Sequence, residues 1–279
     1  MNTKTGLVNY YKTEEGNDYS INSNSIWSLY GDEENRLWIG TYNKGINIID
    51  EKFRKFESFQ KIRTADKKLI NNDVMGFTED RQGNIWIATN GGGICRFDPG
   101  KRQFNRFVHN NNHPYIVNND VQDILYDSDD NLWIGTWSGG IDRLNKNGIK
   151  IRNYRLINSA GVENNNVFTL YEDSQGNIWA GTAGNGLFLY DRKTDEFYSF
   201  ICVNNQELIS NISYVTALLS DNAHNFWVGT IYGLIVVKKN KNQPVQCYNF
   251  LHTNEPSSLS SNVVECLFED SKGLSLIHI

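Results

Sequence analysis

Asp127, Asp129 and Asn131 alternate with single residues as at the start of a calcium-binding loop. Leu132 stands where that loop turns on glycine and no glutamate closes it, so the pattern predicts no calcium site. His109 and His113 are four apart, a spacing that aligns two metal ligands on a helix; here they lie in an Asn-rich stretch beside Pro114, and no metal is expected. No nucleophile with an adjacent base and no close pair of carboxylates stands out, so the sequence predicts neither catalytic residues nor a cofactor. The chemistry that remains is aromatic. Tyr42, Trp137 and Tyr232 interrupt an otherwise regular pattern, with Asn43, Lys44 and Ser138 beside them and Asn90 and Asn185 in corresponding places. A sugar ring stacks its C–H face on such an aromatic while amides and hydroxyls take its hydroxyl groups. Tyr42, Asn43, Asn90, Trp137, Ser138, Asn185 and Tyr232 are therefore the candidate ligand-binding set.

The pattern they interrupt is a repeat. Trp38/Thr41, Trp86/Thr89, Trp133/Thr136, Trp179/Thr182 and Trp227/Thr230 recur with 46 to 48 residues between successive Trp residues. Six residues before each Trp stands an Asp (Asp32, Asp80, Asp127, Asp173, Asp221), and six before that a β-branched residue (Ile26, Val74, Val121, Val167, Val215). Two residues earlier still come Asn24, Asn72, Asn119 and Asn165, with Ser213 in the fifth copy; Asn262, Val264 and Asp270 begin a sixth. A period in this range, with strand-forming residues and Gly-rich turns in each unit, is the signature of a β-propeller with one repeat per blade.

Each unit predicts four short antiparallel strands. The first ends at the Asp, as in Val167 to Tyr171; the second is Leu37 to Thr41 and its equivalents; the third follows a Gly, as in Gly45 to Ile49. The fourth carries two apolar residues three apart: Phe53/Phe56, Phe104/Phe107, Ile151/Tyr154, Phe197/Phe200 and Val245/Tyr248. Between the first two strands, Asn35, Gly83, Asp130, Gly176 and His224 are types that tolerate positive φ, and the Asp three residues earlier is placed to accept backbone N–H bonds. Gly40, Gly135, Gly181 and Gly229, with Ala88 as the exception, are expected to leave room for a neighbouring backbone and the adjacent Trp. The repeat Trp and Asp residues are thus read as structural, the Trp residues packing between blades.

In a propeller, the loops joining second to third strands and fourth strands to the next blade share one face, where pockets form. That face receives the candidate set, together with Asn71/Asn72, Asn118/Asn119/Asp120, Asn164/Asn165 and Ser210/Asn211. The recurring Asn residues are read as a turn requirement.

Composition fits this class. Aromatics are 13% and the net charge is −5 with pI near 5.6. The basic residues are scattered and pairs such as Lys238/Lys239 read as solvated turns, so no nucleic-acid contact is expected. No apolar run approaches the roughly 20 residues of a membrane span, and Asn2 to Gly6 is too polar to open a signal peptide. Cys95, Cys202, Cys247 and Cys266 have no paired spacing and are read as buried thiols, with a single disulfide as the alternative.

Leu7 and Tyr10 match the fourth strand of a preceding blade, and the sixth copy departs from the repeat after Gly273. The six residues Leu274 to Ile279 are what CTG TCT CTT ATA CAC ATC, the transposon end used in sequencing libraries, would encode, and are read as an adapter artefact that truncates a longer gene. The expected organisation is a strand and loop over 1–20, blades over 21–68, 69–115, 116–161, 162–208 and 209–258, the first strand of another over 259–273, and the artefact over 274–279. The fifth blade is a residue short after Thr230. Seven blades at this period need roughly 330 residues, so the fold expected is an open arc of five full blades from a seven-bladed parent.

The unit Asn-x-Val-x-x-Leu-x-x-Asp-x-x-Gly-x-Leu-Trp-Ile-Gly-Thr-x-x-x-Gly-Ile resembles the two-component regulator propeller repeat, over nearly the whole chain. The resemblance implies the periplasmic sensor region of a hybrid two-component histidine kinase. Its implied partners are a glycan ligand and the rest of a membrane-bound, homodimeric receptor. The Asp173 to Trp179 segment also resembles a sialidase Asp box, except that the Asp lies three residues before the Gly instead of two. The other class the repeat allows is a propeller enzyme such as a streptogramin lyase, or a free-standing binding protein.

Overall fold

The computed structural model describes residues 11–14, 20–34, 36–50, 55–59, 69–110, 115–201, 203–204, 207–208, 212–238, 246–255, 258–269 and 275–278. The chain divides into two compact units, Met1–Val108 and His109–Ile279. The first unit holds two four-stranded antiparallel sheets: β1 (Ile26–Gly31), β2 (Arg36–Thr41), β3 (Gly45–Asp50) and β4 (Lys55–Phe59), then β5 (Val74–Glu79), β6 (Ile85–Thr89), β7 (Gly93–Asp98) and β8 (Gln103–Phe107). The second holds three: β9 (Val121–Tyr126) to β12 (Lys150–Tyr154) through β10 (Asn131–Thr136) and β11 (Gly140–Asn145); β13 (Val167–Glu172), β14 (Ile178–Thr182), β15 (Leu187–Asp191) and β16 (Glu196–Phe200); and β19 (Val215–Ser220), β20 (Phe226–Thr230), β21 (Gly233–Lys238) and β22 (Gln246–Phe250). Two hairpins complete it, β17 (Val203–Asn204) with β18 (Glu207–Leu208), and β23 (Cys266–Glu269) with β24 (Ser275–His278). Each four-stranded sheet is one blade of an all-β propeller. Among the described residues, no helix is long and apolar enough to cross a membrane.

One polar device recurs in every blade. Asp32, Asp80, Asp127, Asp173 and Asp221 each accept the indole N–H of the Trp six residues on, at 2.7–3.0 Å. The other carboxylate oxygen accepts backbone N–H groups of the turn, for example those of Gln175 and Asn177 on Asp173. The residue four after the Asp adds its own side chain: Asn84, Asn131, Asn177 and Asn225 through the amide, Arg36 through Nε. Turn and Trp are thereby one unit, and the polar indole edge is paired inside the core. Burial pushes the Asp32, Asp173 and Asp221 carboxyls upward, but these hydrogen bonds outweigh it and hold all three below the usual carboxylate range. Gly83, Asp130, Gly176 and His224 take positive φ in the same turn; Asn35 lies outside the described residues.

The Trp rings pack between blades. Trp38 meets Phe97 at 5.6 Å between ring centroids, Trp133 meets Tyr190 at 4.9 Å, and Trp179 meets Phe226 at 4.6 Å, in each case a ring of the following blade. The Thr three residues after each Trp is buried, and its hydroxyl donates to the carbonyl of the Gly that opens the third strand, at 2.7–2.9 Å. That bond closes the turn between the second and third strands.

Three expectations need correction. The second-strand glycines make room for a side chain of the next blade, not for its backbone or the neighbouring Trp: a Cβ on Gly135, Gly181 or Gly229 would lie 2.7, 2.5 or 2.9 Å from Cγ1 of Val167, Val215 or Val264. The fourth-strand pairs shift frame in the first and fifth blades, and in the third Tyr154 holds its expected place while Ile151 does not. In the first blade Phe56 and Phe59 pair with Ile49 and Ile46, and Phe53 lies outside the described residues. A register irregularity between β11 and β12 leaves Ile151 exposed, and in β22 Cys247 is buried while Tyr248 is exposed; Val245 lies outside the described residues. Of the cysteines, Cys95 is a buried thiol and Cys266 an exposed one, whereas Cys247 is disulfide-bonded to a partner outside the described residues.

Candidate functional site

The loop end of the blades is built from three local rules. First, an Asn staples the segment leading into a blade onto that blade's loop between second and third strands. Asn71, Asn118 and Asn164 donate to the carbonyls of Asn90, Trp137 and Ala183, and accept the N–H groups of Asp73, Asp120 and Asn166. Second, the following Asn reaches back along the lead-in segment: Asn24, Asn119, Asn165 and Asn262 accept the N–H groups of Thr13, His109, Leu156 and His252. The recurring Asn residues are therefore occupied by backbone. Third, each first strand carries a β-bulge, with the extra residue at Trp27, Met75, Gln122, Phe168 and Thr216. A bulge re-aims a side chain away from the regular pleat.

These rules decide where the candidate residues lie. In the first unit, Tyr42 stacks on the bulge residue Trp27, with 5.2 Å between ring centroids and 21° between planes; the two are 45% and 51% exposed. Asn43 beside them takes φ 60°, with its N–H on Asp73. The carbonyl of Lys44 accepts from Asn22. Asn90 is bound through its backbone at both ends, to Asp73 and to Asn71.

In the second unit, Trp137 is 41% exposed and sets its ring against the bulge residue Phe168 of the next blade, at 5.9 Å and 83°. Ser138 has φ 66°, donates its N–H to Asn166, and takes a bond from Asn118 on its hydroxyl. Ala183 forms a bridge with Tyr214, and Tyr214 meets Tyr232 edge to face at 6.5 Å; these tyrosines are 39% and 45% exposed. Trp137, Phe168, Tyr214 and Tyr232 thus follow one another across three blades of this unit. Asn185 differs from the rest of the set. It is buried, and its amide nitrogen donates to Leu156 and Val162 carbonyls, so it braces the lead-in segment out of reach of a ligand. Ser210 and Asn211 lie outside the described residues.

Trp27, Phe168 and Tyr214 were not in the set read from sequence. Trp27 carried the same signal as Trp137, a Trp off the repeat; Phe168 and Tyr214 had none, because only the bulge and the bridge turn them toward the loops. The ring of His109 is bonded to the Ile116 carbonyl, and His113 lies outside the described residues. Among the described residues, no three His, Cys, Asp or Glu side chains are grouped to hold a metal.

Asp123, one residue after the bulge of β9, is the unusual ionisable group of the second unit. It accepts the N–H of Leu170 in the next blade at 2.7 Å and that of Ile124 at 2.8 Å. Burial pushes its carboxyl up from 3.8 to about 6 despite these bonds.

Repeated four-stranded blades, Asp–Trp turns and Thr-closed loops define a propeller repeat module. The two-component regulator propeller family matches residues 20–43, 68–91, 115–138 and 161–184. Four of the five full repeats match that family, each over the lead-in segment and first two strands of its blade. No curated protein sequence matches the chain. Among solved structures, it is similar to the extracellular domain of a protein described as a hybrid two component system, BT3049 from B. thetaiotaomicron, at 23% identity and a TM-score of 0.79, covering 97% of this chain and 34% of that one. The corresponding domain of BT4673 from the same organism gives 20% identity and a TM-score of 0.60, covering 91% and 36%. A virginiamycin B lyase from Staphylococcus aureus gives 14% identity and a TM-score of 0.64, covering 91% and 84%. At these identities the likenesses establish the propeller fold. The chain spans about a third of the length of these two extracellular domains.

Proposed function

We propose that this chain is a non-catalytic, extracytoplasmic sensing module of a hybrid two-component system, binding a carbohydrate on the loop end of its blades. The observation that carries the reading is the exposure of off-repeat aromatics, Trp137 and Tyr232 above all, on a frame whose own Trp residues are all committed to Asp partners. The family match of four repeats and the likeness to the two extracellular domains support the sensing role. The disulfide at Cys247 supports an oxidising, periplasmic compartment. In this reading the five blades belong to a seven-bladed propeller of a membrane-bound, homodimeric histidine kinase, and the fragment makes no contact with nucleic acid. Binding would favour one arrangement of the two receptor chains over another and so bias the kinase.

Thermal-shift screening against oligosaccharide pools tests this. A pool that raises the melting temperature of the wild-type chain and not of Trp137→Ala supports it; no shift with any pool contradicts it. The lyase likeness gives the second reading, a propeller enzyme. Loss of an intact streptogramin on incubation with the chain, followed by mass spectrometry, would favour that reading.

A further inference from the structure

We infer that the hairpin of residues 155–163 walls the site at Trp137, and that Arg155 on it donates hydrogen bonds to the saccharide while Asn185, from the loop of the next blade, holds the hairpin in place. The inference rests on the carbohydrate reading above and adds a second side to that site. Asn158 closes the hairpin. Its backbone N–H and carbonyl bond to the Val162 carbonyl and the Gly161 N–H, its Oδ1 accepts the N–H groups of Ala160 and Val162, and Ile157 forms a bridge with Glu163. Leu156 is fully buried and roots the hairpin in the core around Trp133. From the fourth blade, the Asn185 amide donates to the carbonyls of Leu156 and Val162 at 3.1 and 3.2 Å, one on each leg of the hairpin. The equivalent loop position is Gly92 in the second blade and Gly139 in the third, neither with a side chain to make such a brace. The Asn185 Oδ1 is buried with no hydrogen-bond partner. Burying that oxygen unpaired costs stability, and local costs of this kind gather at functional sites.

The hairpin so braced sets Arg155 beside Trp137. The guanidinium donates to the Ser138 carbonyl at 3.3 Å, and among the described residues its one ion pair is a 3.9 Å contact with Glu163, both side chains being 51% exposed. Arg143, Arg152 and Arg192 differ: they are held closer, on Asp195, Glu196 and Asp129. A pair as exposed and loose as Arg155–Glu163 contributes little and gives way to a ligand at little cost. The guanidinium presents several N–H donors in a planar fork, so most of those on Arg155 remain for a ligand. Two adjacent hydroxyls of a pyranose, or the carboxylate of a uronate, offer that fork a pair of oxygens, while the C–H face of the ring lies on the Trp137 indole. Asn185 touches no ligand in this arrangement; it is a positioning residue that acts through the hairpin.

The test is calorimetric titration of the whole chain with a neutral oligosaccharide pool (malto-, manno-, xylo- and arabino-) and an acidic one (polygalacturonate- and chondroitin-derived). The pool that binds wild type should bind Arg155→Ala roughly tenfold more weakly and Asn185→Ala about threefold more weakly. The double variant should bind no more weakly than Arg155→Ala alone, because the brace acts only through the hairpin that carries Arg155. Binding from the neutral pool with these losses supports the inference with hydroxyls as the oxygens, and binding from the acidic pool supports it with the carboxylate. Wild-type affinity in Arg155→Ala, with affinity lost in Trp137→Ala, would overturn the inference and leave the carbohydrate reading standing. Additive losses in the cycle would overturn the positioning role of Asn185. Binding of neither pool would overturn the inference together with the carbohydrate reading. Arg155 is half-exposed, so its variant should keep the wild-type melting temperature; if Asn185→Ala does not fold, Asn158→Ala, which loosens the same hairpin at its turn, takes its place in the cycle.

Discussion

Replacing Asp123 by Asn should change how the stability of residues 109–279 depends on pH. The carboxylate bridges the first strands of two adjacent blades, and burial raises it from 3.8 to about 6 in the folded chain. A folded value above the unfolded one means that the group's contribution to stability is fully present below pH 4 and is lost as pH rises through 6. Two units correspond to roughly 3 kcal/mol at 1.36 kcal/mol each. Asp123 is only partly shielded from solvent, so screening reduces this to about 2 kcal/mol. Asn cannot ionise, and its carbonyl can still accept the Leu170 N–H. The variant should therefore gain on wild type by about 2 kcal/mol between pH 4 and pH 7, or about 4–8 °C in melting temperature for a unit of this size. The lost acceptor for Ile124 lowers the variant at every pH and does not affect this difference. Intrinsic Trp fluorescence during thermal melts across that range reads it. Parallel curves for the two proteins would refute the reasoning.

Other outcomes follow from the repeat. Asp173→Ala strips the buried Trp179 indole, two backbone N–H groups and the Asn177 amide of their acceptor, and should cost about 2–4 kcal/mol in chemical denaturation. Trp179→Phe should cost less in that background than alone, and additive losses in the double-mutant cycle would contradict the coupling. Gly181→Ala places a Cβ 2.5 Å from Val215 and should destabilise by about 1–3 kcal/mol, with partial recovery on Val215→Ala. No recovery would mean the close approach is not the cause. Thr136→Val should lose about 1 kcal/mol by opening the turn at Gly140.

The blades were legible because their determinants are local. Asp, Trp, Thr and the turn residue satisfy one another within a dozen positions, so period alone located each four-stranded sheet. The Asn two before the Trp recurs in four of the five blades, at Asn84, Asn131, Asn177 and Asn225, yet its bond to the Asp needed the turn to be seen. What spacing could not give depends on the neighbouring blade or on an irregularity: the Val that fills the space over each Gly, the frame of the fourth strands, the disulfide at Cys247. The candidate site divides the same way. Tyr42, Trp137 and Tyr232 are exposed as expected, while Asn185 is drawn inward by three carbonyls and Trp27, Phe168 and Tyr214 join through bulge and bridge.

The central claim is a division of labour among the seven Trp residues of the chain: five hold blades together, and those off the repeat face ligand. Fluorine NMR of 5-fluorotryptophan-labelled protein separates them in one spectrum. On adding the oligosaccharide pool that binds, the Trp137 resonance should shift while those of Trp38, Trp86, Trp133, Trp179 and Trp227 stay in place. A shift among the five with Trp137 unmoved would contradict the account.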